Sequence, residues 1–169
     1  MIETERLILR PLTPGDEEAF LSGVADMELR RLYGLPATLD EDTARRLFRQ
    51  FSSLPAAYGL IRKADGILVG FLLDVPAELP EDMLRTLPQG GRTMAYAVFA
   101  PYQRQGYMRE ALHSLIEVHR QSRAVPYLHG GHFPFNEPSR SLLRSLGFAE
   151  HGQHGAGHAA IIDEVLFLR

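Results

Sequence analysis

One stretch of this chain constrains its fold more than any other: M-A-Y-A-V-F-A-P-Y-Q-R-Q-G-Y-M-R-E-A-L, Met94 to Leu112. Thr93 to Ala100 is a nearly continuous apolar run, the pattern of a central strand buried on both faces. It leads directly into a turn holding Gly106, and a helix is expected to begin near Arg109, with Leu112, Leu115 and Ile116 on one side. Such a strand, turn and helix belong to an α/β protein. The corner they make presents unpaired backbone N–H groups at the positive end of a helix dipole, which suits phosphate oxygens. Gly106 would let an anion approach without a side chain in the way. Arg104 and Arg109 could add ionic contacts. An ordinary strand-to-helix turn has the same local sequence, so this stretch alone leaves both readings open. It is neither a Walker loop nor a dinucleotide fingerprint.

The remaining elements arrange themselves around this segment. Arg6 to Arg10 alternates like a strand that Pro11 closes. Thr13-Pro14 reads as a helix start, with Phe20, Val24 and Met27 as its apolar stripe, and a second helix follows Asp40. Tyr58 to Arg62 and Ile67 to Leu73 are strands joined across Asp65-Gly66, a hairpin signal. The proline- and acid-containing insert between Val75 and Arg92 reads mostly as a loop with one helical turn around Met83-Leu84. Its Glu78, Glu81 and Asp82 make either a solubilising surface or a rim that receives amines. Tyr127 to Phe133 is a strand, and Pro138 to Leu146 is a helix ended by Gly147 in a left-handed C-cap. Val165 to Leu168 is the last strand.

Composition narrows the function classes. Eighteen basic against 21 acidic residues leave a net charge of −3, which provides no general field for nucleic acid or an anionic membrane. Cysteine is absent, which excludes disulfides, thiolate nucleophiles and cysteine metal sites. The N-terminus lacks the basic start and apolar run of a signal peptide, and no apolar stretch approaches the roughly 20 residues of a membrane span. A cytoplasmic protein of one domain, residues 1–169, is the expectation. Five of the seven histidines lie between His129 and His158. His151, His154 and His158 fall in H-G-Q-H-G-A-G-H, whose glycines favour a solvated turn over a metal site. No metal is expected.

A second segment, F-P-F-N-E-P-S-R-S-L-L-R-S-L-G-F from Phe133 to Phe148, sharpens the reading. With it the chain resembles the GNAT superfamily of acyl-coenzyme A-dependent N-acetyltransferases. Gln103-Arg104-Gln105-Gly106-Tyr107-Met108 matches the family's [QR]-x-x-G-x-[GA] loop, with Met108 in place of the small residue. Asn136, Ser139 and Leu146-Gly147-Phe148 match its N-x-x-S…L-G-F pattern. The opening E-T-E-R-L-I-L-R-P-L-T-P-G-D and Asp163 are similar to the Rim-type branch, which acetylates ribosomal-protein N-termini and other amines. The resemblance spans nearly the whole chain. It implies a single α/β (α+β) domain: a mixed, mostly antiparallel sheet with a central splayed parallel strand pair, flanked by helices.

The resemblance also implies a site. Acetyl-CoA, the cosubstrate, would lie in a V between the strands Thr93–Ala100 and Tyr127–Phe133. Its pyrophosphate would meet backbone N–H groups of Arg104, Gln105, Gly106, Tyr107, Met108 and Arg109, and its pantetheine would pair with Ala97, Val98 and Phe99. The Val98 N–H would polarise the thioester carbonyl. Asn136 would bind the pantetheine arm unless it serves as a helix N-cap, and Arg144 would sit near the cofactor. The chain departs from the family where Leu143 replaces the usual tyrosine acid and Thr93 the usual glutamate base. Ser139 or Ser141 could assist the leaving thiolate. His132 is a candidate base because an imidazole suits proton acceptance near neutral pH, with His129, farther back on the opposite strand face, the weaker one; packing within the fold is the alternative for both, and a water chain to solvent would serve as base equally well. The acceptor is an amine on a small molecule or a peptide N-terminus. A homodimer is compatible with the sequence. The rivals are an acyl-CoA-binding sensor of the same fold and a metal-dependent protein built on the clustered histidines.

Overall fold

A computed structural model describes all residues, Met1–Arg169. Two compact units share the chain: Met1–Leu73 with Tyr96–Ser114, and Asp74–Ala95 with Leu115–Arg169. Neither is a contiguous segment, so no single cut in the sequence separates them.

The strands are β1 (Ile2–Glu3), β2 (Leu7–Arg10), β3 (Ala57–Arg62), β4 (Leu68–Pro76), β5 (Arg92–Val98), β6 (Tyr127–His132), β7 (Ala149–His154) and β8 (Ile161–Phe167). They form one sheet in the order β1-β2-β3-β4-β5-β6-β8-β7. Pairing is antiparallel for β1/β2, β2/β3, β3/β4, β6/β8 and β7/β8, and parallel for β5/β6. The parallel register holds Arg92 opposite Leu128 and Thr93 opposite His129. The helices are α1 (Glu17–Val24), α2 (Met27–Tyr33), α3 (Glu41–Ser53), α4 (Glu81–Leu84), α5 (Tyr107–Ser122) and α6 (Glu137–Ser145).

In the first unit Asp40 caps α3 by accepting the Thr43 N–H at 2.7 Å, and Ala44, Phe48 and Phe51 turn inward. Phe48 and Phe51 close on Phe20, with ring centroids 5.4 and 5.7 Å away, and Phe71 and Phe99 complete the cluster. Gly23 permits this, because a Cβ there would lie 2.3 Å from the Phe99 ring. The β3–β4 hairpin closes where predicted, with Gly66 at φ +74 and the Arg62 N–H bonded to the Ile67 carbonyl at 2.9 Å. Met27 departs from its expected stripe: it opens α2 and is 74% exposed. Asp26 ends the first helical run and caps the next, accepting the Leu29 N–H at 2.7 Å.

In the second unit the acidic insert proves to be folded. Met83 and Leu87 pack with Tyr127 and Val165, while Glu81 pairs with Arg85 at 2.6 Å on the exposed side. Asp74 is buried and accepts Arg92 Nε at 2.8 Å and His119 Nε2 at 2.9 Å. Burial pushes its carboxyl up, but these two bonds more than offset that and hold it below the usual carboxylate range. The last hairpin corrects two expectations: His151 and His154 lie on β7 rather than in a turn, and β8 begins at Ile161 rather than Val165.

Candidate functional site

The loop ahead of α5 is built from the first unit. Phe99 donates its N–H to the Val69 carbonyl at 2.9 Å. The two-residue alternation of a strand then turns the Val98 N–H and C=O to the opposite edge, where Gln103 Nε2 donates to the Val98 carbonyl at 2.9 Å. Ala97 and Val98 are half-buried rather than buried on both faces, which corrects the expectation for this strand. Phe99, already bonded to Val69, has no N–H left for another partner.

Beyond a single 3-10 turn the backbone adopts two left-handed residues, Arg104 at φ 61 and Gly106 at φ 80. The first helical bond of α5 runs from the Glu110 N–H to the Gly106 carbonyl at 3.1 Å. The N–H groups of Tyr107, Met108 and Arg109 precede it and have no carbonyl one turn earlier to accept them. Gln103 through Gly106 and Arg109 are exposed, whereas the Tyr107 and Met108 side chains are buried, so those two residues offer only backbone. A Cβ at Gly106 would meet nothing closer than the Arg6 guanidinium at 3.4 Å. This corner is a concave set of donors at the positive end of a 16-residue helix, suited to an anion.

The loop has a brace that its own sequence does not reveal. Glu110 accepts the Arg6 N–H and Nε, both at 2.7 Å, and the Thr4 hydroxyl. Arg6 in turn donates to the Gln105 carbonyl at 2.9 Å and lies over the Tyr107 ring. Burial pushes the Glu110 carboxyl up, and its bonds from Thr4 and Arg6 bring it below the ordinary value. Arg6 reads in the sequence as the start of a strand, and its carboxylate partner lies 104 residues away.

The second unit holds the histidines. His132 is buried on β6. Its Nδ1 donates to the Phe133 carbonyl at 2.9 Å and its Nε2 faces Glu164 Oε1 at 3.3 Å. Both ring nitrogens face partners within the fold. Neighbouring β6 and β8 residues alternate faces, which carries His129 to another partner set. His129 Nε2 donates to Asp163 Oδ1 at 2.8 Å, and its Nδ1 lies 3.0 Å from Thr93 Oγ1. His154, expected in a solvated turn, donates from Nδ1 to Asp163 Oδ2 at 2.7 Å. Burial pushes the Asp163 carboxyl up, but the bonds from His129 and His154 outweigh it and keep Asp163 below the usual range. His151 Nε2 donates to the Thr86 hydroxyl at 2.9 Å, and His158 sits in a short turn. No group of three or more His, Asp or Glu side chains is arranged to hold a metal ion.

On α6, Asn136 Oδ1 accepts the Ser139 N–H at 3.2 Å, the helix-capping role. Leu143 is fully buried, and Gly130 accommodates it, since a Cβ there would lie 2.9 Å from its methyl groups. Arg144 divides its guanidinium between Glu164 and Glu150, each at 3.2 Å. Ser139 lies in the first turn of the helix that Asn136 caps, and Gly147 follows its end at φ +94 as predicted.

Comparison with known proteins places this geometry. A family model described as an acetyltransferase (GNAT) domain matches residues 6–149. An uncharacterized N-acetyltransferase, YoaA, of Bacillus subtilis (strain 168) is 24% identical over 159 residues, covering 90% of this chain and 84% of that protein. An acetyltransferase (GNAT family) structure from Bacillus anthracis shares the fold with a TM-score of 0.81 at 16% identity, over 99% of this chain and 98% of that one. A putative ribosomal-protein-serine acetyltransferase from Vibrio cholerae does so with a TM-score of 0.72 at 22% identity, over 98% of this chain and 96% of that one. The match of the family model over most of the sequence, on a sheet with one parallel pair, establishes that this chain belongs to the GNAT acetyltransferase domain family.

Proposed function

We propose that this protein transfers the acetyl group of acetyl-CoA to a primary amine by direct attack in a ternary complex. The observation that carries the reading is the turn with two left-handed residues, Arg104 and Gly106, that leads into α5, where the N–H groups of Tyr107, Met108 and Arg109 lie ahead of the first helical bond. That corner would take the pyrophosphate, with Arg104 and Arg109 exposed beside it. Pantetheine amides would pair with the half-buried Val98 edge, displacing the Gln103 side chain from the Val98 carbonyl. The Val98 N–H would then stabilise the oxyanion, an effect of about 3 kcal/mol for one good donor.

In this reaction the amine nitrogen attacks the thioester carbon, the carbon–sulfur bond breaks, and the thiolate takes a proton from the amine directly or through water. The chain has no cysteine to carry an acyl-enzyme. Holding amine and thioester together supplies much of the acceleration. The Rim-type relatives of the fold support peptide N-termini among the acceptors to be tried, beside small amines. A second reading, an acyl-CoA-binding module without turnover, draws on one observation: Leu143 is fully buried where a tyrosine acid would stand. Thiol release from acetyl-CoA, screened against small amines and N-terminal peptides, separates the two. Turnover with an amine supports the enzyme; cofactor binding without turnover across the panel supports the module.

A further inference from the structure

Resting on the acetyltransferase reading, we propose that Arg6 is a positioning residue for the cofactor: it fixes the peptide between Gln105 and Gly106 so that the Gly106 N–H faces the pyrophosphate. All the residues involved belong to the first unit. Glycine adopts either sign of φ at little cost, so the peptide plane ahead of Gly106 is free to flip and turn its N–H to either side. The loop's own sequence does not choose between the two orientations. At φ 80 one of them is held, and the contact that holds it comes from outside the loop.

Arg6 Nη1 donates to the Gln105 carbonyl at 2.9 Å. A trans peptide is planar, with its C=O and N–H pointing in opposite directions. Holding the Gln105 carbonyl against Arg6 therefore sends the Gly106 N–H away from it. That N–H finds no acceptor within the protein. In the chain it immediately precedes the N–H groups of Tyr107, Met108 and Arg109, which lie ahead of the first helical bond of α5. Arg6 Nη2 lies 3.4 Å from where a Gly106 Cβ would stand, so the guanidinium rests against this same peptide.

The guanidinium is itself held in place. Glu110 Oε2 accepts Arg6 Nε at 2.7 Å, and Glu110 Oε1 accepts the Arg6 N–H at 2.7 Å together with the Thr4 hydroxyl. The Arg6 carbonyl accepts the Lys63 N–H at 2.9 Å, which ties this residue to the end of β3. The guanidinium carbon lies 4.7 Å from the centre of the Tyr107 ring. Anchoring α5 to the sheet needs only the bonds to Glu110; the bond to the Gln105 carbonyl is additional, and its effect falls on the loop. The charge of Arg6 is matched by that of Glu110, so the pair adds orientation to the corner and no net charge. A loop peptide set in this way before the ligand arrives spares binding the cost of ordering it.

The test measures CoA binding by calorimetry for the wild type, Arg6→Ala and Arg6→Lys, and follows the Gly106 amide signal by NMR. Urea unfolding shows that each variant is folded under the binding conditions. In the wild type, CoA should move the Gly106 amide proton downfield, whereas pantetheine, which lacks the pyrophosphate, should leave it in place. Arg6→Ala is expected to weaken CoA binding about tenfold, the loss of one aligned hydrogen bond to a charged oxygen, and to abolish the Gly106 shift. Arg6→Lys keeps the charge but not the planar fork that reaches Glu110 and Gln105 together, so it should bind CoA within about threefold of the alanine variant. A merely structural loss would displace amide signals throughout the first unit rather than at the loop. Unchanged CoA affinity in Arg6→Ala or full affinity in Arg6→Lys overturns this assignment alone. So does a wild-type Gly106 amide that CoA leaves unmoved or that pantetheine moves equally, a result that needs no variant. A wild type that binds no CoA overturns the acetyltransferase reading and this assignment together.

Discussion

Replacing Arg104 tests the anion corner through stability as well as binding. At φ 61 its Cβ crowds the following carbonyl, at a cost of roughly 1–2 kcal/mol for an L-residue. Arg104→Ala keeps the Cβ and therefore the strain. Arg104→Gly removes it but returns backbone freedom to the unfolded chain, worth about 0.5–1 kcal/mol in the other direction. The glycine variant should therefore be the more stable of the two by about 0.5–1 kcal/mol. With a urea dependence near 2 kcal/mol per molar, the unfolding midpoints should differ by roughly 0.3–0.5 M. Both variants lose the guanidinium, so comparing them cancels its contact with phosphate. If backbone N–H groups hold the pyrophosphate, the two should bind CoA equally well or the glycine variant better. An alanine variant more stable than the glycine variant by the same margin would refute the left-handed turn, and with it the orientation of the N–H groups.

Other parts of the structure give further expectations. Gly23→Ala should lower stability by about 1–3 kcal/mol because its Cβ would lie 2.3 Å from Phe99, although Ala is normally favoured in a helix; thermal denaturation reads the sign. Leu143→Tyr should not raise turnover, because the site is fully buried against Gly130, and overpacking should lower the melting temperature, by about 2–4 °C per kcal/mol. Asp74→Asn should cost roughly 2 kcal/mol at neutral pH through weakened bonds from Arg92 and His119. Because folding lowers the Asp74 pKa, its contribution is present above the unfolded carboxylate value and is lost as pH falls through the folded one. The gap between wild type and Asp74→Asn in urea unfolding should therefore narrow below about pH 4.

Local chemistry was readable where it is written in neighbouring residues. The Asp65-Gly66 hairpin, the Asp40 cap of α3 and the Gly147 stop of α6 appear where sequence put them. The strand-to-helix corner was also legible, because a strand, a glycine and a helix follow one another in the chain. Met27 misled because a helical stripe continues across Asp26, whose capping side chain breaks the helix there. The β7 strand was hidden for a different reason. It is a sheet edge with largely exposed side chains, held by its pairing with β8, so neither alternation nor apolarity marks it. The polar network around Asp163 could not be seen at all. Its members are 93, 129, 154 and 163, and only the out-of-sequence position of β8 brings them together. Glu110 and Arg6 escaped notice similarly, since each reads alone as a surface charge.

The central claim is acetyl transfer from CoA to an amine. Its most direct test incubates the purified full-length protein with acetyl-CoA and an amine panel that includes N-terminal peptides, while mass spectrometry follows amine, protein and free CoA together. The account predicts an acceptor that becomes one acetyl group heavier in step with CoA release, while the protein stays unmodified. CoA bound to the protein with no acetylated amine anywhere in the panel, or an acetyl group carried on the protein itself during turnover, would contradict it.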